Sequence, residues 1–405
     1  MNGNNKQEPL PTFPEDIIVE ILSRLPLRFL LQSRCVCKPW SILPNNNPKL
    51  IQVKKSSFSL MLIDGERRLL SLDNNSLSSS LFDGIDGRVK KIRCPLISLD
   101  CDLKNVNFVG SCNGLFFLYR EEIDHFFSWN PCLWNPSTHE FKYLPRPGFP
   151  VNETRCILHR GHGFGYDAKS DDYKCVRIFH YSAESHSHIH MYSFRSNTWE
   201  LRYMPYALTT EDECFRAPNG VFCNGALHWF THGVKVLIAI NMTGEGIREI
   251  PQPEGVENFG NRRHIDVLDG YLCILNSSFF TAYEVWLMKD YGMRESWTKV
   301  YNIPRLTLEL EAQTYVYMKK IECLKTGEVL LEVQYGYTKT AALVLYDPKN
   351  ETAKYLKLYK NFGDYSILRS VSYRYVKSLV RLNSDSHVKD NKLKDDQLRA
   401  LSIRD

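Results

Sequence analysis

No stretch of these 405 residues stays apolar long enough to span a bilayer, and the opening MNGNNKQEPLP lacks the basic start and apolar middle of a secretory signal. The expectation is therefore a soluble chain of the cytoplasm or nucleus, with no membrane partner. Charge of one sign is also missing. With 51 basic against 46 acidic residues and a formal net charge of +5, no electrostatic footprint for nucleic acid emerges. None of the 12 cysteines forms a CxxC pair, so in a reducing compartment they read as buried thiols, not as a disulfide framework. Catalytic signatures are absent as well: there is no GxSxG elbow, no HExxH, no P-loop, and no cysteine set beside a histidine and an acid in a local signature. These absences point to a chain that is not an enzyme and takes no cofactor.

What is present has two textures. At 43% hydrophobic residues the chain is globular, and residues 11–52 carry a helical pattern. Pro14, Glu15 and Asp16 make a helix start, since a proline there costs no hydrogen bond and acids suit the positive end of the dipole. Ile17, Ile18, Ile21, Leu22 and Leu25 follow as an apolar stripe, and Pro26 ends the helix. Leu30, Leu31, Cys35, Val36, Cys37 and Trp40 then spread over more than one side of a second helix. A third short helix is expected from Pro48. Some forty residues cannot bury so many large side chains among themselves, so part of this surface is expected to dock.

The run Phe13-Pro14-Glu15-Asp16-Ile17-Ile18, Glu20-Ile21-Leu22, Arg24-Leu25-Pro26, Leu30, Arg34-Cys35-Val36-Cys37-Lys38 and Trp40 resembles an F-box. In that family the segment binds the Skp-type adaptor of a cullin-based ubiquitin ligase. The resemblance implies adaptor contacts from Pro14, Ile17, Ile18, Ile21, Leu22, Leu25, Pro26, Leu30, Val36, Cys37 and Trp40. Phe13 stands where the family usually has leucine, and the turn at Asn45, Asn46 and Asn47 shifts the spacing to the last contact.

From residue 53 to 382 the texture is β. A polar turn, an alternating strand and a proline recur, closing at Pro95, Pro145, Pro205, Pro251 and Pro304 in steps of 50, 60, 46 and 53, with a weaker sixth copy from Asp347 that lacks the proline. Kelch blades repeat at roughly 50 residues. Asn113-Gly114, Asn224-Gly225 and Asp269-Gly270 each form a turn before a strand. Repeats that each carry a sheet favour a β-propeller, here of about six sheets, with the strand around Tyr373 to Val376 placed to close the ring. The runner-up is an open β-sandwich, because Gly-Gly and Trp-Asp pairs are both missing. Trp129, Trp134, Trp199, Trp229, Trp286 and Trp297 are expected at comparable packing positions in the repeats. The fold class is thus mainly β with a small helical N-terminal domain. Residues 1–10 are expected to be disordered, and 383–405, rich in Asp, Lys, Arg and Ser, to form a flexible tail.

Two stretches invite chemistry. His186, His188 and His190 alternate, but no carboxylate or cysteine is read at ligand spacing beside them, so an exposed hairpin is expected and no metal. Gly161-His162-Gly163-Phe164-Gly165 is expected to be a turn and strand, since no helix follows to point at a phosphate. The long connections 146–160, 206–218, 252–264 and 305–314 should emerge together, with Arg155, His159, Glu211, Asp212, Glu213, Arg262 and Arg263 as exposed polar contacts for a substrate.

The phrases Gly110-Ser111-Cys112-Asn113-Gly114-Leu115, Trp134-Asn135-Pro136-Ser137-Thr138, Gly163-Phe164-Gly165-Tyr166-Asp167 and Asn224-Gly225-Ala226-Leu227-His228-Trp229 resemble the F-box-associated, kelch-like domain of plant F-box proteins, including the S-locus F-box-like group. That likeness implies a substrate receptor of a Skp–cullin–F-box (SCF) ubiquitin ligase. Its partners would be the Skp-type adaptor, through it cullin and a RING subunit, and an unidentified protein target. A narrower alternative is a receptor for pollen self-incompatibility ribonucleases; a different class would be a propeller enzyme or glycan-binding protein with a helical cap.

Overall fold

The structure is a computed structural model. It describes residues 14–25, 58–63, 68–73, 89–96, 106–121, 129–148, 157–181, 184–207, 219–231, 236–256, 262–277, 282–304, 307, 316–324, 326–335, 341–355, 370–378 and 380–382. Expectations for residues 1–10, for the second and third helices and for 383–405 lie outside these. No helix among the described residues is long and apolar enough to cross a membrane.

Helix α1 spans Glu15–Ser23. Pro14 caps it in extended geometry, and its carbonyl accepts from the Ile17 and Ile18 amides at 3.1 and 3.2 Å. Glu15 and Asp16 occupy the first turn, where negative charge is favoured. The helix stops ahead of Pro26, a residue whose ring disfavours helical geometry in the one before it.

The remaining elements are sheets. The first holds β1 (Phe58–Ile63), β2 (Leu69–Asp73) and β3 (Val89–Lys91). The second holds β4 (Val106–Cys112), β5 (Leu115–Glu121), β6 (Trp129–Trp134) and β7 (Phe141–Tyr143). In the third are β8 (Ile157–Asp167), β9 (Asp172–Tyr181), β10 (Ser187–Ser193) and β11 (Thr198–Met204). The fourth comprises β12 (Val221–Cys223), β13 (Ala226–Phe230), β14 (Leu237–Asn241) and β15 (Ile247–Ile250). The fifth comprises β16 (Arg262–Leu268), β17 (Tyr271–Ser277), β18 (Ala282–Met288) and β19 (Trp297–Pro304). The sixth comprises β20 (Val316–Cys323), β21 (Val329–Tyr335), β22 (Ala341–Asp347) and β23 (Thr352–Tyr355). A last strand, β24 (Ser370–Val376), pairs antiparallel with β1 and gives the first sheet its fourth member.

Local chemistry explains the hairpins. Asn113-Gly114, Asn224-Gly225 and Asp269-Gly270 join first to second strands in three blades, and both residues of each pair have positive φ. That is the two-residue turn whose twist matches paired strands. The outer hairpins use side chains instead. Asn135, Asn241 and Asp347 each accept, through Oδ1, the amide two residues on, at 2.9, 3.1 and 2.9 Å.

Packing between sheets makes the ring. Met61, Phe116 and Trp134 join blades one and two; Leu115, Phe164 and Tyr192 join two and three. Ile178 and Trp229 join three and four, and Leu237 and Ile274 join four and five. Leu275 and Leu331 join five and six, while Leu60 and Leu72 meet Leu330 and Leu343 to join six back to one. Each such side chain, when fully buried, stabilises by about 2 kcal/mol. Strands packed on both sides are buried along their length, as β1 and β13 are. The molecule is therefore a six-bladed β-propeller, and the sandwich alternative falls away.

The C-terminal end completes closure. Tyr375 OH shares a 2.8 Å hydrogen bond with Ser71 Oγ, and Tyr373 OH donates to the Phe108 carbonyl at 2.7 Å. Beyond β24, the Asn135 amide donates to the Ser378 and Val380 carbonyls at 3.1 and 2.8 Å, and Leu382 is buried among blade-two and blade-three side chains. A Cβ on Gly114 would stand 2.2 Å from Ser378 Cβ, so this strap passes where only glycine fits.

Two expectations need correction. The 161–165 glycine run lies inside β8, with no turn; Cβ atoms on Gly163 and Gly165 would stand 2.6 Å from Leu227 and 2.5 Å from Phe222, so the glycines let blade four approach. The tryptophans are not all at equivalent places. Among the described tryptophans only Trp199 and Trp297 lie in the first two positions of outer strands, and their indole N–H groups donate to the Pro145 and Pro251 carbonyls of the preceding blade at 2.7 and 2.8 Å.

Candidate functional site

Two surfaces are candidates, the outer side of α1 and one end of the ring. At about 100° per residue, Val19 and Leu22 fall on one side of α1 and Ile17 and Ile21 on the other. The structure follows this division: Val19 and Leu22 are 4% and 0% exposed, Ile17 and Ile21 47% and 50%. Ile18 and Leu25 are intermediate, and Pro14 is exposed. Among the expected adaptor contacts, Leu22 is therefore already covered by the chain itself, while Pro26, Leu30, Val36, Cys37 and Trp40 lie outside the described residues. Glu20 and Arg24 form an exposed ion pair at 2.6 Å beside the isoleucines. Of the large apolar side chains exposed among the described residues, only Tyr203, Tyr271 and Met293 accompany this pair.

Topology defines the second surface. First strands of neighbouring blades run side by side, and a parallel bridge between His162 and Asn219 shows two successive blades entering in the same direction. In antiparallel four-stranded blades, the turns between second and third strands then share one end with the blade-to-blade connections. The described ends of the long connections singled out in the sequence lie there, and most of the residues between those ends lie outside the described ones. Arg155, Glu211, Asp212 and Glu213 lie outside the described residues, and His159 and Arg262 belong to β8 and β16, not to loops. Arg263 corrects the expectation of an exposed contact. It is 4% exposed, its guanidinium donates to Gln252 Oε1, and it lies 5.0 Å over the Phe230 ring. The reason is that β16 starts at Arg262, so strand alternation turns Arg263 inward.

The same end holds a feature that sequence reasoning missed. His186 and His188 face Glu184, whose Oε2 lies 3.3 and 2.5 Å from their Nε2 atoms. The alternate residue His190 is separate and buried, its ring edge-on to Phe179. The signal was available in the Glu-x-His-x-His spacing.

Among the described residues, the buried thiols are poor nucleophiles. Cys94, Cys112, Cys132, Cys175, Cys223 and Cys273 are buried and, with Cys323, not in disulfides. Burial pushes Cys94 and Cys112 up to about 12 and Cys223 to about 11, far from the thiolate range.

A closed ring of six blades preceded by a helix with two half-exposed isoleucines defines a β-propeller protein with a helical N-terminal element. Residues 60–382 match the family described as the F-box associated beta propeller domain, and residues 10–52 the F-box domain; the chain belongs to the F-box-associated β-propeller family. F-box protein CPR1 of Arabidopsis thaliana is 27% identical, over 95% of this chain and 94% of its own. F-box protein At3g07870 of the same plant is 26% identical, over 84% of this chain and 86% of its own. Among solved structures, the SapL1 lectin in complex with alpha methyl fucoside aligns at a TM-score of 0.41 and 8% identity, over 78% of this chain and 97% of its own, too distant to carry an argument. An F-box joined to such a propeller is the layout of a substrate-recognition subunit of an SCF ubiquitin ligase.

Proposed function

We propose that this chain is a non-catalytic receptor that binds a Skp-type adaptor through α1 and the segment after it, and a target protein through the loop end of the ring. No bond is made on this chain. Catalysis comes from holding a target lysine at high effective concentration near a ubiquitin donor carried by the cullin and RING subunits.

The observation that supports this reading is the division of α1. Val19 and Leu22 are buried, and Ile17 and Ile21 are left half-exposed. Burying the exposed half of each isoleucine in a partner stabilises the complex by about 0.7–1.5 kcal/mol, and a carboxylate placed there adds a desolvation cost of a few kcal/mol. Ile17→Asp with Ile21→Asp should therefore weaken adaptor binding by about 100-fold or more while the melting temperature stays near wild type. Pull-down and calorimetry with purified adaptor check this. Adaptor binding at wild-type strength by a folded double variant would overturn the assignment.

A further inference from the structure

The β9–β10 turn carries a cluster that receptor function does not use. Glu184 sits in the turn, and His186 and His188 follow at alternate positions running into β10, so the strand period points the donors the same way. Both imidazole Nε2 atoms converge on one Glu184 oxygen, at 3.3 and 2.5 Å, and the three donor atoms all lie within 4.8 Å of one another. A tetrahedral zinc ion with bonds of about 2.0–2.1 Å holds its ligand atoms about 3.3 Å apart. Small side-chain rotations bridge that difference.

The rings are also held in place. His186 and His188 stack with centroids 5.3 Å apart and planes 17° from parallel. Tyr203 packs edge-on against both, at 5.1 and 5.0 Å, and Tyr181 edge-on against His188 at 5.2 Å. Such walls restrict imidazole rotation and lower the entropy lost when an ion binds. Side-chain exposure rises from 12% at Glu184 to 21% at His188 and 42% at His186, so the carboxylate lies innermost and the outer histidine faces solvent.

We propose that Glu184, His186 and His188 form a binding site for a divalent transition metal of the zinc class. Two imidazoles and one carboxylate suit that chemistry, and three protein ligands leave a fourth position for water or a donor from a bound protein. The site lies on the loop end of the ring, and metal binding itself does not depend on adaptor or target.

The test uses the full-length chain stripped with a chelator. Zinc titrated against a chromophoric competitor should fill one site that His188→Ala and Glu184→Gln weaken at least tenfold, whereas His139→Ala, in an exposed turn of blade two, binds as wild type. Cobalt in place of zinc should give the visible absorption of a four-coordinate nitrogen and oxygen site in the unmutated chain, a readout that needs no variant. Equal zinc uptake by wild type and a folded His186→Ala/His188→Ala chain would overturn the proposal. So would the absence of the cobalt spectrum in the unmutated chain; either result leaves a hydrogen-bonded His–Glu turn.

Discussion

His228 is fully buried in β13, its Nδ1–H donating to the Val221 carbonyl at 3.0 Å and its Nε2 accepting from the Tyr291 hydroxyl at 2.6 Å. Burial, with Arg248 nearby, lowers its pKa from 6.5 to about 4. The folded state thus holds fewer protons than the unfolded one between those values. Stability from the neutral ring is complete above pH 6.5 and is lost as pH falls toward 4, to the extent of about 3 kcal/mol. Urea unfolding at pH 7, 5.5 and 4.5 should show that slope together with a share from His190, whose pKa burial also lowers to about 4, and His228→Gln should reduce it; an identical slope in the variant would exclude His228 as a source. At this scale the sequence was a partial guide. It marked His186 and His188, but Glu184 became their partner only through the conformation of the turn, and Arg263 turned inward only because β16 begins one residue earlier.

Individual strands and turns were more legible. Asn-Gly and Asp-Gly pairs specify their hairpins by backbone preference alone, and Asn135, Asn241 and Asp347 shape outer turns through their own side chains, so neighbouring residues suffice. The outer strands add a link that crosses blades. Trp199 and Trp297 donate to carbonyls of Pro145 and Pro251, which explains why two strand-opening tryptophans follow two closing prolines one blade later. Trp297→Phe should cost about 1 kcal/mol, and the more exposed Trp199→Phe less. The pair should be additive, since the two sit two blades apart. Denaturant midpoints with unchanged slopes would confirm this; coupling between them would mean the blades are not independent.

The whole ring depends on its end. β24 supplies the innermost strand of the first blade, and the strap through Ser378, Val380 and Leu382 ties it to blade two. A chain ending at residue 369 would expose the β1 edge and the faces of blades six and one, so it should aggregate and lose cooperative unfolding. A chain ending at residue 382 should melt as the full-length protein does. Asn135→Ala lies between, losing two bonds to the strap and two turn contacts, for about 2–3 kcal/mol. Cooperative melting by the shorter truncation would show that the ring does not need its closure.

By itself the sequence determined the repeat of about six sheets, the turn chemistry that separates strands, and an apolar helix ahead of them, because these rest on residues within a few positions of one another. Only the tertiary structure decided which side of α1 stays uncovered and which side chains at the loop end turn inward. Those outcomes depend on contacts between segments far apart in the chain, and burial at such contacts outweighs local preference.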